Sequence, residues 1–272
     1  MNESESSTYQ AVRIGDTAEW RLIVMISERG MAAWLKHQNP TTELVTLFDE
    51  RWTPDSDSLL SKIEAAVYDH PQVLDDFSAN IAIVAPKALW VPTELAEADE
   101  DDGVGYYTRI YPAQEADVMT DEAGEATCMY TLTSGLNAFL KRTFPGAQVE
   151  NHLSIMRRRF RERGDEMPRV YVDIREGEAD YVVFDNTRFI MAATHPWHSP
   201  TDIEYHLFNI MDVYGLEPSK TQVSLSGLRD LKTDLMTELR KSLKYVMLTM
   251  LPSIGQKAGM PLAASLLLRN QA

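Results

Sequence analysis

The sequence predicts an α/β protein of two domains built on one repeated plan, β-β-β-α-β-α. Three observations carry that prediction. The same succession of apolar runs and helical stripes occurs twice, and Arg21-Leu-Ile-Val-Met-Ile-Ser-Glu28 lies naturally over Arg169-Val-Tyr-Val-Asp-Ile-Arg-Glu176, each followed by a glycine and a second run; self-similarity of this kind points to an internal duplication. The 272 residues fall near the length at which one core gives way to two. Charge also divides between the halves: residues 1–136 hold 8 basic and 25 acidic side chains, residues 137–272 hold 18 and 16. Such asymmetry favours separate domains with different partners, or a complementary contact between them, over one uniform shell.

The elements follow in order. Residues 1–18 read as a loose, flexible start, Ser/Glu-rich from Met1 to Thr8 and without the basic and apolar segments of a signal peptide. Glu19–Ser27 is an apolar, β-branched run broken at Glu28-Arg29-Gly30; Met31–His37 completes a hairpin, and Glu43–Phe48 alternates with period two as a third strand. Leu59, Leu60, Ile63, Ala66 and Val67 recur at helical spacing behind Asp55 or Asp57 as cap, and His70-Pro71 stops the helix. Asn80–Ala85 is a buried-type strand. Glu94–Asp102 holds six carboxylates and no base, so it reads as a solvated acidic insertion rather than a cation loop. Tyr106–Tyr111 and Ala126–Leu132 read as strands, Leu136–Phe144 as a helix closed by Pro145-Gly146, and Val149–Arg163 as a helix with five arginines turned to solvent.

The plan then returns. Arg169–Arg175, Ala179–Asp185 and Arg188–Thr194 are three strands, Pro200–Tyr214 is a helix stopped by Gly215, Gln222–Leu225 is a strand, and Leu228–Met250 is a long amphipathic helix. Pro261 opens a leucine-rich tail helix that either docks on its own domain or binds a partner. The expected domains are therefore residues 19–165, containing the insertion at 94–102, and residues 166–272 with the tail.

On these repeated runs the chain resembles the actin-like ATPase superfamily, the duplicated ribonuclease H-like fold of actin, sugar kinases, Hsp70-type chaperones and pilus-assembly and secretion proteins. More narrowly, it is similar to a bacterial domain-of-unknown-function family assigned to that fold. The resemblance implies two Asp-x-Gly hairpins that hold nucleotide phosphates and metal, and a glycine-rich turn that accepts the adenosine. Glycine is needed there because backbone N–H groups must reach phosphate oxygens. In the first copy the aspartate position is Met25 and Ser27 stands for glycine. In the second, Asp173 is present, Arg175 occupies the glycine position and Gly177 comes two residues late, while Ser226-Gly227 resembles the adenosine turn.

The candidate nucleotide-site residues are thus Asp173, Arg175, Gly177, Ser226 and Gly227, with Asp173 as the candidate Mg²⁺ ligand. Arg175 either meets a phosphate or, the preferred reading, points into solvent from a hairpin that no longer binds one. Eroded motifs on an intact plan lead to the expectation of a cytoplasmic protein-binding or scaffold protein with a degenerate nucleotide cleft and no cofactor. The alternative is a divergent ATPase or small-molecule kinase using ATP and Mg²⁺.

Other chemistries find less support. A net charge of −15 repels nucleic acid, which also weighs against a two-metal nuclease built on Asp173 and Asp185. P-loop, nucleophile-elbow and His-Glu-x-x-His motifs are missing. His195-Pro196-Trp197-His198 reads as structural rather than as a zinc site. Cys128, the single cysteine, reads as an inert buried thiol in a reducing compartment. No run reaches the length of a spanning helix, so no transmembrane segment is expected.

Overall fold

The computed structural model describes residues 14–53, 57–98, 104–112, 117–161 and 166–268. The Ser/Glu-rich start and residues 99–103 of the acidic run lie outside the described residues. The elements are β1 (Trp20–Ser27), β2 (Gly30–His37), β3 (Val45–Arg51), α1 (Leu59–Asp69), β4 (Ala79–Val84), β5 (Ala88–Pro92), α2 (Thr93–Glu97), α3 (Val104–Ile110), β6 (Asp117–Ala123), β7 (Ala126–Leu132) and α4 (Leu136–Thr143). The chain continues through β8 (Gln148–Asn151), α5 (His152–Arg161), β9 (Arg169–Arg175), β10 (Glu178–Asp185), β11 (Arg188–Pro196), α6 (Pro200–Val213), β12 (Gln222–Gly227), α7 (Arg229–Leu239), β13 (Tyr245–Leu248), α8 (Ser253–Lys257) and α9 (Leu262–Leu266).

Two compact units result: Met1–Ala85 with Thr133–Glu150, and Pro86–Leu132 with Asn151–Ala272. Whereas the sequence placed one cut near residue 165, the segment Pro86–Leu132 groups with the later part of the chain. In the first unit the sheet runs β3-β2-β1-β4-β8, with β1 antiparallel to β2 and parallel to β4. Its core residues Leu22, Ala33, Phe48 and Ile83 are fully buried. The α1 helix buries Ile63, Ala66 and Val67, and α4 buries Leu136, Phe139 and Leu140. The cap of α1 is Ser58, whose hydroxyl accepts from Ser61 N at 3.1 Å, not Asp57; Asp55 lies outside the described residues.

The second unit repeats the topology strand for strand, as β11-β10-β9-β12-β13, again with one antiparallel and one parallel neighbour for its first strand. Even the register repeats, since Met25 faces Ala32 in the first copy and Asp173 faces Asp180 in the second. Odd and even residues of β9 point to opposite faces. Val170, Val172 and Ile174 join Ile203, Leu207, Leu235 and Leu239 of α6 and α7 in one core, while Arg169, Tyr171 and Asp173 face the other way. Pro86–Leu132 adds an antiparallel sheet, β5-β7-β6, in which burial pushes the Cys128 thiol up, away from the reactive range.

Four expectations fail, each for a tertiary reason. Tyr106–Tyr111 is not a strand: α3 covers Val104–Ile110, because buried Tyr107 meets Tyr111 at helical spacing, ring centres 5.2 Å apart and tilted by 43°, and its hydroxyl lies 3.1 Å from Thr131 Oγ1. Residues 149–151, expected as the start of a helix, belong to β8, and α5 starts only at His152. The long helix expected over Leu228–Met250 stops at Leu239, and residues 245–248 pair in parallel with β12 as β13.

The arginine-rich face is the fourth failure. Arg157 and Arg159 are buried; Arg158 and Arg161 alone of the described arginines of α5 are exposed. The Arg157 guanidinium lies 4.7 Å from the Phe189 ring centre and 5.7 Å from that of Trp90, with Glu125 Oε1 at 3.4 Å, so aromatic faces and one carboxylate replace its water. The described part of the acidic insertion, Glu94–Glu97, is helical within α2. The tail helix α9 is buried along its length and packs on α5.

Candidate functional site

The repeated register brings one polar row across four strands of the second sheet. Thr194 on β11 stands opposite Asp180 on β10, Asp180 opposite Asp173 on β9, and Asp173 beside Ser226 on β12. Their side chains share the face of the sheet on which α5 packs. The first residue of that helix, His152, completes the cluster. In the first unit the three positions equivalent to Asp180, Asp173 and the neighbouring strand are Ala32, Met25 and Ile83, all apolar. One copy of the plan is therefore greasy where the other is charged.

Asp180 is the centre. Its carboxylate accepts from Arg175 Nε at 2.7 Å and Nη2 at 3.0 Å and from Thr194 Oγ1 at 2.6 Å, and His152 Nε2 lies 3.0 Å from Oδ1. Burial opposes this charge, but Arg175 and His152 overcome it and hold Asp180 well below the usual carboxylate range. The Arg175 guanidinium is likewise held charged by Asp180 and by Glu178, 3.1 Å away, against its own burial. A two-point arginine–carboxylate pair of this kind is among the stronger interactions available to a buried charge. Arg175 therefore does not point into solvent, as its hairpin position suggested; its side chain is 15% exposed and turned back onto Asp180.

Asp173 has the opposite character. Burial, and then the neighbouring Asp180 charge, push its carboxyl up to about 6, with Ser226, Arg175 and His152 pulling the other way. Its Oδ1 accepts no hydrogen bond among the described residues. The other predicted site residues sit close in the chain but serve the backbone. Ser226 Oγ donates to Val172 O at 3.3 Å. Gly177 takes the left-handed conformation at the turn of the hairpin, φ 71°, and its carbonyl accepts from Trp197 N at 3.0 Å. Trp197 Nε1 donates to Arg175 O at 2.9 Å, so the His195–His198 segment clamps this turn, and His195 stacks on His206 of α6 with ring centres 4.4 Å apart.

Gly227 has φ 94°, and a Cβ there would collide with the Ile174 carbonyl and amide. The next amide, Leu228 N, donates to that same Ile174 carbonyl at 2.9 Å. The glycine is thus required by the close approach of β12 to β9. A phosphate cradle needs open backbone amides; here a guanidinium committed to Asp180 stands at one glycine position and a strand backbone fills the approach to the other. Among the described residues no three His, Cys, Asp or Glu side chains cluster as a metal site. The residues present do not fit a nucleotide–Mg²⁺ group held in the manner the resemblance implies. Asp185, the other carboxylate weighed with Asp173, lies at the far end of the hairpin beside Arg188, 3.8 Å away.

Asp180, Thr194 and His152 were not singled out by the sequence reading. The one signal that could have found Asp180 is the strand register: with Asp173 fixed and a two-residue turn at Glu176-Gly177, its partner on the returning strand is Asp180.

The sequence matches the family model "Protein of unknown function (DUF3822)" over residues 10–246. The chain belongs to this family. Among curated proteins none matches. A Bacteroides thetaiotaomicron protein with the actin-like ATPase fold and unknown function superposes on the DUF3822 chain with a TM-score of 0.79 at 16% identity, covering 93% of this chain and 96% of that one. A chain of the PilM–PilN type IV pilus biogenesis complex superposes with a TM-score of 0.57 at 12% identity, covering 93% and 97%. The DUF3822 chain therefore has the actin-like ATPase fold, as its twice-repeated sheet order also requires.

Proposed function

We propose that this DUF3822 protein is a protein-binding member of the actin-like ATPase fold that works without a bound nucleotide. One observation carries the reading: at the position where the fold's phosphate hairpin has glycine, Arg175 closes on Asp180 in a buried, two-point ion pair. A guanidinium already neutralised has little left to offer a phosphate, and displacing Asp180 would strand a carboxylate in the interior. A chain on this fold held in the PilM–PilN complex is a precedent for a role in protein assembly. No helix among the described residues is long and apolar enough to cross a membrane, and the lone buried Cys128 suits a reducing compartment; the reading takes the protein to act in the cytoplasm.

The rival is a divergent Mg²⁺-dependent ATPase or small-molecule kinase, and the unpartnered Oδ1 of Asp173 is the feature in its favour. Isothermal titration with ATP and ADP, with and without Mg²⁺, separates the two. The expected result is no saturable heat at millimolar nucleotide from protein shown to be folded by circular dichroism. Saturable, Mg²⁺-dependent binding that disappears in Asp173→Ala would establish the rival instead.

A further inference from the structure

The outer face of α6 is built unlike an ordinary solvent face. Its inward stripe, Ile203, Leu207, Ile210 and Met211, is buried in the core of the second unit, and a surface helix with such a stripe normally turns charged and polar side chains outward. Here positions 201, 205, 208 and 212, one helical row, line a shallow groove of about 470 Å³ together with Glu204 and Asn209. Tyr205 projects from it 66% exposed, and Phe208 is partly exposed beside it. Val213, 65% exposed, extends the apolar area toward the end of the helix.

The charge on this face has one sign. α6 contains no Lys or Arg. Glu204 and Asp212 have no basic partner among the described residues, whereas Asp202 is already occupied, accepting from His198 N and Ser199 N at 2.9 Å. His206 is turned onto His195. An aromatic ring flanked by two unpaired carboxylates complements a segment that alternates apolar side chains with Lys or Arg: the cation pairs with a carboxylate and lies on the ring face while the apolar residues cover Phe208. A nucleic acid or anionic lipid surface would meet only repulsion there.

We propose that the outer face of α6 docks a Lys/Arg-bearing amphipathic segment of a partner protein, seated on Tyr205 and Phe208 between Glu204 and Asp212. The assignment rests on the protein-binding reading given above and supplies its partner's chemistry.

The test uses the full chain and a fluorescein-labelled amphipathic peptide of Leu and Lys, followed by fluorescence anisotropy at physiological salt. Saturable binding is expected, weakened about tenfold or more by Glu204→Lys with Asp212→Lys and about fivefold by Tyr205→Ala. A matched pair on α1, Glu64→Lys with Asp69→Lys, changes the net charge equally at exposed positions and is expected to leave binding within about twofold. Absence of saturable binding, or equal weakening by the α1 pair, overturns the assignment, the latter because the attraction would then be general. Concentration-dependent self-association in sedimentation, abolished by the α6 pair, also overturns it, since the occupant would be a second copy. Nucleotide titration of the same preparation keeps the two readings apart: a failed α6 test beside absent nucleotide binding removes only this surface, while Mg²⁺-dependent ATP binding removes the reading beneath it.

Discussion

Replacing Asp173 by Asn isolates the cost of holding a second carboxyl in the buried row. The side chain is buried between Asp180 and Ser226, and burial together with the Asp180 charge pushes its carboxyl up to about 6, above its ordinary value of 3.8. Between those two values the folded state binds more protons than the unfolded state, so the contribution of Asp173 to stability falls as pH rises and is fully lost above the folded value. At about 1.4 kcal/mol for each unit of displacement, the penalty approaches roughly 3 kcal/mol at pH 8 and is about 1 kcal/mol at pH 4.5. Asp173→Asn keeps the shape and removes the titration. Its stability relative to the natural protein is therefore expected to improve by about 2 kcal/mol between those pH values, whatever constant offset the amide itself introduces. Urea unfolding followed by circular dichroism at pH 4.5, 5.5, 6.5 and 8 measures the difference. A difference that stays flat, or shrinks as pH rises, would refute the picture of a carboxyl lifted by burial and by its neighbour Asp180. Asp180 does not confound the comparison: held well below the usual carboxylate range by Arg175 and His152, it stays ionised in the folded state from pH 4.5 to 8 in both proteins.

Two further substitutions probe the same sheet. Arg175→Ala removes the guanidinium that neutralises Asp180 and leaves a buried carboxylate with Thr194 and His152 alone; a loss of about 3–5 kcal/mol is expected in urea unfolding, and a loss below about 1 kcal/mol would mean that the pair is solvated. Gly227→Ala places a methyl against the Ile174 backbone at φ 94°, so a loss of about 2–5 kcal/mol is expected; a neutral effect would show that β12 does not approach β9 so closely and that the glycine serves something else.

Much of the fold is legible in the chain because its cause is local. β1, β2, β9 and β10 are runs whose apolar residues recur at strand spacing and whose turns carry glycine, and their likeness at Arg21 and Arg169 announces the duplication. α1, α4 and α6 declare themselves by one apolar stripe and a stop signal. Where the deciding contact is distant, local pattern fails. Four residues at 245–248 are a strand only because β12 lies alongside, and 148–151 only because β4 does. Tyr106–Tyr111 has the composition of a strand, yet the packing of Tyr107 on Tyr111 and Thr131 selects a helix.

The site divides in the same way. The sequence by itself determined which residues stand where the resemblance implies phosphate hairpins: Met25 and Ser27 in the first copy, Asp173 and Arg175 in the second. Only the tertiary structure decided what those residues do. A guanidinium three methylene carbons from its backbone reaches solvent, phosphate or carboxylate equally well by sequence, and it is the antiparallel register of β9 and β10 that brings Asp180 to it for two hydrogen bonds. Burial then separates the two carboxyls: α5 excludes water from that face and His152 arrives with the helix, Arg175 and His152 hold Asp180 as an anion against that enclosure, and the enclosure together with the Asp180 charge lifts Asp173 toward its neutral form. Register and desolvation are properties of the assembled sheet, and no short stretch of chain encodes them alone.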